Sequence, residues 1–129
     1  MKANPERSSG RTVLVIDDNP PMRKMLMQAF LSNGFATCIE ADSGKEGIEH
    51  AQQITPDVII LDFAMPGMNG LQAAVELRKL RPTTPIILFT LYGEGPINAE
   101  ASKVGINLVV PKTMPPTMLL DKVEELMGN

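Results

Sequence analysis

Short apolar runs recur along the chain and predict its strands. The four clearest runs cover residues 13–16, 58–61, 86–89 and 108–110. They are continuous rather than alternating and rich in β-branched residues, which is typical of strands buried on both faces of a parallel sheet. A fifth, weaker run at residues 35–39 has a mixed pattern that favours a strand nearer a sheet edge.

Helix signals lie between these runs. Asn19 before Pro20 predicts a capped helix start, and Ser43 with Glu46 forms a capping box that predicts a second helix to about Gln53. The apolar positions expected to face the core are Met22, Met25, Leu26, Ala29 and Phe30 in the first helix, Leu71, Ala74, Val75 and Leu77 in the third, and Leu119, Leu120, Val123, Leu126 and Met127 in the last.

The remaining helices complete an alternating order. The third helix is predicted over residues 69–80, and the last opens at Pro115. The segment 94–104 is the weakest helix candidate, because glycines and a proline crowd its start, and we expect a short or mobile element there. Five strand–helix units in sequence predict an α/β fold, a doubly wound parallel sheet with right-handed crossovers and helices on both faces.

Composition narrows the class of protein. The 129 residues, 14.0 kDa, suit one domain, and the net charge of −3 argues against a nucleic-acid binder. The single cysteine, Cys38, excludes an intramolecular disulfide and fits a reducing compartment. The longest apolar runs are far shorter than the roughly 20 residues of a membrane-spanning helix. We therefore expect a cytoplasmic protein without membrane insertion.

Polar residues with chemical potential follow the predicted strands. Asp17 and Asp18 come after the first run, Asp62 after the run that ends at residue 61, Thr90 after the next, and Lys112 shortly after the last. Ligands of open parallel sheets bind outside the carboxyl ends of the strands. The pattern therefore predicts three carboxylates, one hydroxyl and one ammonium group at one end of the sheet.

Charge repulsion indicates what this cluster binds. Two carboxylates about 4 Å apart repel by about 4 kcal/mol at an effective dielectric constant of about 20. Lys112 alone cannot neutralise three of them, and hard oxygen ligands favour Mg²⁺. A carboxylate beside Mg²⁺, lysine and a hydroxyl can accept a phosphoryl group. Asp62 is the expected nucleophile, with Asp17 and Asp18 as the metal platform and Thr90 and Lys112 contacting phosphoryl oxygens.

These motifs resemble a known family. The Val13–Asn19 segment with its Asp pair, the loop Asp62-Phe-Ala-Met-Pro66-Gly-Met-Asn-Gly70, Thr90 and Lys112 together look like the receiver domain of two-component response regulators. The resemblance covers about residues 11–128 and implies a flavodoxin-like sheet in the order 2-1-3-4-5. It also implies that a histidine kinase or histidine phosphotransferase phosphorylates Asp62.

The resemblance implies further partners and ligands. Mg²⁺ would be held by Asp18, Asp62 and the backbone carbonyl of Ala64, with Asp17 acting largely through water. Residues 1–10 would be a flexible polar leader and residues 11–129 the receiver domain, so output is expected through contact with an unknown downstream protein. A homodimer on phosphorylation is compatible with this. The positions expected to dock the kinase are Met22, Met114 and Pro115.

The sequence also departs from the family pattern. Receivers usually carry a proline after the lysine, often with a cis bond, whereas Thr113 follows Lys112 here, so this bond is either cis under strain or trans. The bulky Leu91 follows Thr90 and is expected to narrow access to Asp62. Val109 occupies the place of the usual aromatic switch residue, and Tyr92 or the segment 93–104 would have to transmit the signal instead.

Two other functions remain open from the sequence. One is a constitutive interaction module that is never phosphorylated, and the other is a Mg²⁺-dependent phosphatase acting through an aspartyl phosphate. Ala64 stands where such a hydrolase would carry its second carboxylate, so we expect a signalling protein rather than an enzyme. Residues expected to lie outside the chemistry are His50, on a solvated helix face, and Cys38, as a small buried side chain. Met65, Met68 and Met114 are interpreted as an adaptable contact surface.

Overall fold

The computed structural model describes residues 10–91 and 96–128, which form a parallel sheet with helices on both faces. The strands are β1 (Thr12–Ile16), β2 (Thr37–Ala41), β3 (Val58–Leu61), β4 (Ile86–Thr90) and β5 (Leu108–Pro111). The helices are α1 (Pro20–Leu31), α2 (Gly44–Gln53), α3 (Gly70–Leu80), α4 (Pro96–Lys103) and α5 (Pro116–Leu126). Strands and helices alternate throughout, which confirms the predicted α/β class.

The sheet has the order β2-β1-β3-β4-β5, with every neighbouring pair parallel. Its central strands β1, β3 and β4 are almost completely buried, as their continuous apolar runs predict. One face of the sheet packs against α2, α3 and α4, and the other against α1 and α5. The flavodoxin-like, doubly wound architecture is therefore confirmed, with β2 and β5 as the edge strands.

Capping explains where the helices begin. The Asn19 side chain accepts a hydrogen bond from the backbone N–H of Met22 at the start of α1. The Ser43 side chain accepts one from the N–H of Glu46 at the start of α2. These two starts confirm the predicted helix starts, but the capping box predicted at Ser43 is only half formed, because the Glu46 carboxylate accepts the N–H of Asp42 and not that of Ser43. Helix α4 spans only eight residues, so the expectation of a short element there also holds.

Several apolar side chains lie differently from the prediction. Met25 is 41% exposed and Val75 is 38% exposed, although the apolar spacing predicts that both face the core. Each lies at the edge of the buried face of its helix. That face is narrower than the apolar spacing suggests, and it is occupied by the adjacent residues Leu26 and Ala74. Strand β2 also begins at Thr37 rather than at residue 35, because the N–H of Phe35 still donates to the carbonyl of Phe30 in α1 at 3.2 Å. The Phe35 ring is buried edge-on against that of Phe30, with ring centroids 5.0 Å apart.

The burial of three methionines and of the cysteine agrees only partly with the predictions. Met65 is buried, which contradicts its assignment to a contact surface, while Met68 and Met114 are half-buried against the two faces of the core. Cys38 is half-buried rather than fully buried, and burial, reinforced by the charge of Glu40, raises the pKa of its thiol to about 11.

The described residues also answer the questions about the peptide bond before Thr113 and about membrane-spanning helices. No cis peptide bond occurs in the described ranges, so the bond before Thr113 is trans. Nor does any helix within these ranges have the length and hydrophobicity to cross a bilayer. Most of the expected leader, residues 1–9, and Tyr92 with residues 93–95 lie outside the described residues.

Arg78 connects three elements at the end of the sheet opposite the strand carboxyl termini. Its guanidinium donates to the carbonyl oxygens of Arg81 and Thr84, both at 2.8 Å, and to that of Gly105 at 2.6 Å. It also donates to the side-chain oxygen of Asn107 at 2.9 Å. The C-terminal end of α3, the start of β4 and the turn after α4 are therefore held by one side chain.

Arg78→Met is expected to lower the free energy of unfolding by about 2 kcal/mol, because several partly buried carbonyls lose a charged donor at once. The matched control is Lys79→Met. Lys79 is 69% exposed and pairs with Glu76 at 3.5 Å, so its replacement should cost less than about 0.5 kcal/mol. Urea titration of the three proteins measures the difference. Equal midpoints would show that the Arg78 network adds nothing to stability.

Candidate functional site

The carboxyl ends of four adjacent strands bring the predicted residues to one edge of the sheet. Asp17 follows β1, Asp62 follows β3, Thr90 ends β4, and Lys112 follows β5. Backbone hydrogen bonds extend the ladders to these positions, with the N–H of Asp62 donating to Ile16 at 2.9 Å and that of Lys112 donating to Thr90 at 2.9 Å. The backbone positions of these residues are therefore set by the sheet itself.

Three carboxylates converge at this edge. One oxygen from each of Asp17, Asp18 and Asp62 lies within 4.8 Å of the other two. Asp17 is 2% exposed and Asp62 is 5% exposed, whereas Asp18 is exposed. The predicted carboxylate cluster is thus present, with two members at its base and one at its rim.

Lys112 contacts two of these carboxylates. Its Nζ lies 2.8 Å from Asp17 Oδ2 and 3.3 Å from Asp62 Oδ1, and its side chain is 10% exposed. The shorter contact is to Asp17, so the ammonium group lies between the two buried carboxylates and closer to the first. Thr90 is completely buried at the end of β4, the strand between those that carry Asp62 and Lys112.

The charges of the cluster are only partly balanced. Burial raises the pKa of Asp62 and the charge of Asp17 raises it further, while the charge and hydrogen bond of Lys112 oppose this without cancelling it. Burial disfavours the charge of Lys112, but its hydrogen bond and charge interaction with Asp17, together with those of Asp62, raise its pKa overall. The site therefore holds more negative charge than one ammonium group can stabilise.

The loop between β1 and α1 is fixed by contacts that the sequence analysis missed. The backbone N–H of Asn19 donates to Asp17 Oδ1 at 2.9 Å. The guanidinium Nη1 of Arg23 donates to the backbone carbonyl of Asp17 at 2.7 Å, and its Nε donates to Glu40 at 3.1 Å. No sequence motif signals these contacts, because they depend on how β2 and α1 meet above the loop.

The loop between β3 and α3 depends on two glycines. Gly67 has φ +79°, a left-handed conformation that favours glycine. Gly70 opens α3 directly against the backbone of Asp62 and Phe63, and its N–H donates to the carbonyl of Phe63 at 2.8 Å. Asn69 adds a capping box at this helix start. The loop that follows Asp62 is thereby closed tightly over the end of β3.

A cleft of about 180 Å³ opens above the cluster. The residues that line it are Asp18, Asn19, Asp62, Ala64, Leu91 and Lys112. Leu91 forms part of this rim and is 69% exposed, which agrees with its expected place at the entrance to Asp62. Of the positions expected to dock a kinase, Met22 and Met114 are half-buried on the side of the core that α1 and α5 cover, whereas Pro115 is exposed.

The donor set fits a divalent cation. Three carboxylates supply hard oxygen ligands, and their spacing within 4.8 Å allows one ion to contact more than one of them. Because Asp18 is exposed, water could complete the coordination of such an ion. Ala64 lines the same cleft and is the neighbour expected to offer a backbone carbonyl.

Sequence comparison identifies relatives over nearly the whole chain. Residues 13–124 match the family described as the response regulator receiver domain. The chain is 31% identical to the chemotaxis protein CheY of Thermotoga maritima over 117 residues, which are 91% of this chain and 98% of CheY. It is 38% identical to the regulatory protein AtoC of Escherichia coli over 93 residues, 72% of this chain but only 20% of AtoC.

Solved structures agree in fold. Chemotaxis protein CheY4 of Vibrio cholerae superposes with a TM-score of 0.85 at 28% identity, covering 90% of this chain and 98% of CheY4. The response regulator domain of Thermotoga maritima CheB gives a TM-score of 0.82 at 29% identity, covering 92% and 97% of the two chains. The similarity in fold therefore extends over about nine-tenths of this chain.

Proposed function

Because the chain belongs to the response regulator receiver domain family, we propose that Asp62 is the phosphoryl acceptor of a signalling switch. The observation that carries this proposal is the position of Asp62 in the cleft, with Lys112 Nζ 3.3 Å away and the carboxylates of Asp17 and Asp18 beside it. A nucleophilic carboxylate, a cation and a metal-binding set are the parts that phosphoryl transfer requires.

The proposed reaction forms an acyl phosphate. A carboxylate oxygen of Asp62 attacks the phosphorus of a phosphohistidine, the O–P bond forms as the N–P bond breaks, and the leaving imidazole nitrogen takes up a proton. Lys112 is placed to bind one phosphoryl oxygen, since its ammonium already contacts Asp62. The Thr90 hydroxyl is proposed to bind a second oxygen from the end of β4.

The proposed metal ligands are Asp18, Asp62 and the backbone carbonyl of Ala64, with Asp17 acting through water. Bound Mg²⁺ would supply positive charge against the phosphoryl oxygens. Asp17 suits an indirect role, because its Oδ2 lies 2.8 Å from Lys112 and its Oδ1 accepts the N–H of Asn19. Both oxygens of this carboxylate are therefore already engaged, whereas Asp18 is exposed to solvent.

The proposed partners follow from this chemistry. A sensor histidine kinase or histidine phosphotransferase would supply the phosphoryl group, docking near Met22, Met114 and Pro115. Phosphorylation would shift the populations of two conformations around β4 and β5, and a downstream protein would bind one of them. Residues 11–129 are proposed to act as the receiver domain in the cytoplasm, without enzymatic turnover beyond loss of the phosphoryl group.

The proposed function is tested by incubating the protein with Mg²⁺ and acetyl phosphate and measuring its intact mass. We expect one added phosphoryl group in the parent and none in Asp62→Asn, whose side-chain amide lacks the nucleophilic oxygen. In parallel, we expect the parent protein to respond to beryllofluoride, which mimics the phosphoryl group. No adduct and no response to beryllofluoride would instead favour a constitutive interaction module. Rapid turnover of varied phosphoesters would favour a phosphatase.

Leu91→Ala is expected to increase the rate of labelling by acetyl phosphate several-fold, because Leu91 lines the entrance to Asp62. The rate is measured as the initial slope of adduct formation at saturating Mg²⁺. Met118→Ala is the matched control, since Met118 is a comparably exposed apolar residue, 46% exposed, on α5. Equal rates in the parent and Leu91→Ala would mean that Leu91 does not limit access.

A further inference from the structure

Arg23 bridges the acidic loop and the neighbouring edge strand. Its Nη1 donates to the backbone carbonyl of Asp17 at 2.7 Å, and its Nε lies 3.1 Å from Glu40 on β2. The Arg23 side chain is 17% exposed and that of Glu40 is 36% exposed, so the guanidinium is largely sheltered from solvent while the Glu40 carboxylate is partly open to it. One guanidinium thus ties α1, β2 and the end of β1 together.

The carbonyl that Arg23 binds has a special position. It belongs to the peptide that joins Asp17 to Asp18, so its orientation influences where both carboxylates point. On the other side of the turn, the N–H of Asn19 donates to Asp17 Oδ1 at 2.9 Å. Arg23 and Asn19 therefore hold the turn at two different atoms of Asp17.

We propose that Arg23 is a positioning residue for the divalent cation of the acidic cluster, acting by fixing the Asp17–Asp18 peptide. This inference rests on the proposed function, since it assumes that the cluster binds Mg²⁺. Glu40 has a supporting part in it. Its carboxylate orients the guanidinium and balances its charge, so that Arg23 can stand beside a cation site without strongly repelling the ion.

Positioning and simple electrostatics predict opposite effects. If Arg23 acted only through its positive charge, removing it would make the cluster more negative and tighten Mg²⁺ binding. If it fixes the Asp17–Asp18 peptide, removing it releases the ligands and weakens binding. Residues that orient metal ligands from outside the coordination sphere typically change affinity by about 10–100-fold. The direction of the change therefore distinguishes the two roles.

The experiment measures Mg²⁺ affinity by calorimetry for the parent, Arg23→Met, Arg23→Lys and Lys24→Met. Lys24 is the next residue on α1 and is exposed, so its replacement removes one positive charge while the contacts of Arg23 stay in place. We expect about tenfold weaker binding in Arg23→Met and unchanged or slightly tighter binding in Lys24→Met. Arg23→Lys keeps the charge but lacks the planar fork that reaches both partners, and it should bind Mg²⁺ more weakly than the parent.

A destabilised fold must be separated from a displaced ligand. Arg78→Met serves for this, because it is expected to lower stability at the opposite end of the sheet while leaving Mg²⁺ affinity unchanged. Should Arg23→Met fail to fold, Arg23→Lys carries the comparison. Parent-like or tighter binding in the Arg23 variants would overturn the inference while leaving the proposed function intact. If the parent bound no Mg²⁺ and accepted no phosphoryl group, both would be wrong.

Discussion

Lys112→Met is expected to lower the free energy of unfolding at about pH 7 by about 3 kcal/mol when Mg²⁺ is absent. Lys112 Nζ contacts Asp17 at 2.8 Å and Asp62 at 3.3 Å, and both carboxylates are almost fully buried. Methionine keeps most of the apolar stem but removes the charge, which leaves two buried carboxylates opposing each other. Urea titrations with and without Mg²⁺ measure the loss and its reversal by the ion.

The pH dependence of this variant has a definite direction. The pKa of Asp62 is already raised by burial and by Asp17, so the folded protein binds this proton more tightly than the unfolded chain does. The contribution of Asp62 to stability therefore falls as pH rises through its folded pKa. Removing Lys112 raises the pKa of Asp62 further. The loss in free energy of unfolding that Lys112→Met causes, relative to the parent, should therefore become smaller when the pH is lowered from about 7 to about 5.

The matched control for this prediction is Lys103→Met. Lys103 also lies close to a carboxylate, that of Glu100 at 3.6 Å, but its side chain is 72% exposed. An exposed pair of this kind contributes less than about 1 kcal/mol. A similar small loss in Lys112→Met, with no dependence on pH or Mg²⁺, would contradict the view that Lys112 balances the buried carboxylates.

Gly70→Ala is expected to destabilise the protein by about 3 kcal/mol and to weaken Mg²⁺ binding. A Cβ at this position would overlap the carbonyl oxygen of Asp62 and lie 2.9 Å from Cα of Phe63. The obstructing atoms are backbone, so relief requires either α3 or the Asp62 peptide to move. Calorimetric Mg²⁺ titration and thermal unfolding together detect both effects.

Gly67→Ala provides the comparison within the same loop. Gly67 has φ +79°, but apart from Gly67 itself and its two chain neighbours no atom of the described residues lies within 4 Å of the place that an alanine Cβ would take. Alanine there is therefore opposed by the left-handed backbone alone, which costs about 1 kcal/mol. Mg²⁺ affinity should change little, because the Asp62 peptide is not displaced. If Gly70→Ala proved no more harmful than Gly67→Ala, the close approach of α3 to Asp62 would not constrain the site.

The sequence predicts the fold here because local and global signals agree. The continuous β-branched runs become the buried strands, and Asn19 and Ser43 cap helices where their side chains indicate. The two core positions predicted wrongly, Met25 and Val75, lie on helix flanks. Met25 and Val75 fit the helical repeat of apolar residues, but both are exposed. The repeat alone does not show how much of a helix surface the neighbouring elements will bury.

The candidate site is predictable for a different reason. Each of its charged members follows a strand, and parallel strands bring their carboxyl ends to one edge, so topology alone gathers Asp17, Asp62 and Lys112. The contacts of Arg23 escape prediction because they join Asp17 and Glu40, which lie on different elements. Gly70 is visible in the sequence only as part of a loop motif, since its steric constraint depends on the approach of one backbone to another.

Strand β5 has a consequence for how copies of the chain meet at high concentration. It is an edge strand of four residues that ends at Pro111, opposite Thr90. An open edge invites another molecule's backbone to extend the sheet. The N–H of Asn107 donates to Ile86 of β4, so the missing N–H of Pro111, four residues along, also faces β4 and not the open edge. What limits pairing at the open edge is the length of β5, because a strand of four residues offers few backbone groups to a partner. The open edge at β5 is therefore a poor site for pairing with the sheet of another molecule, so high protein concentration should not readily cause aggregation through this edge.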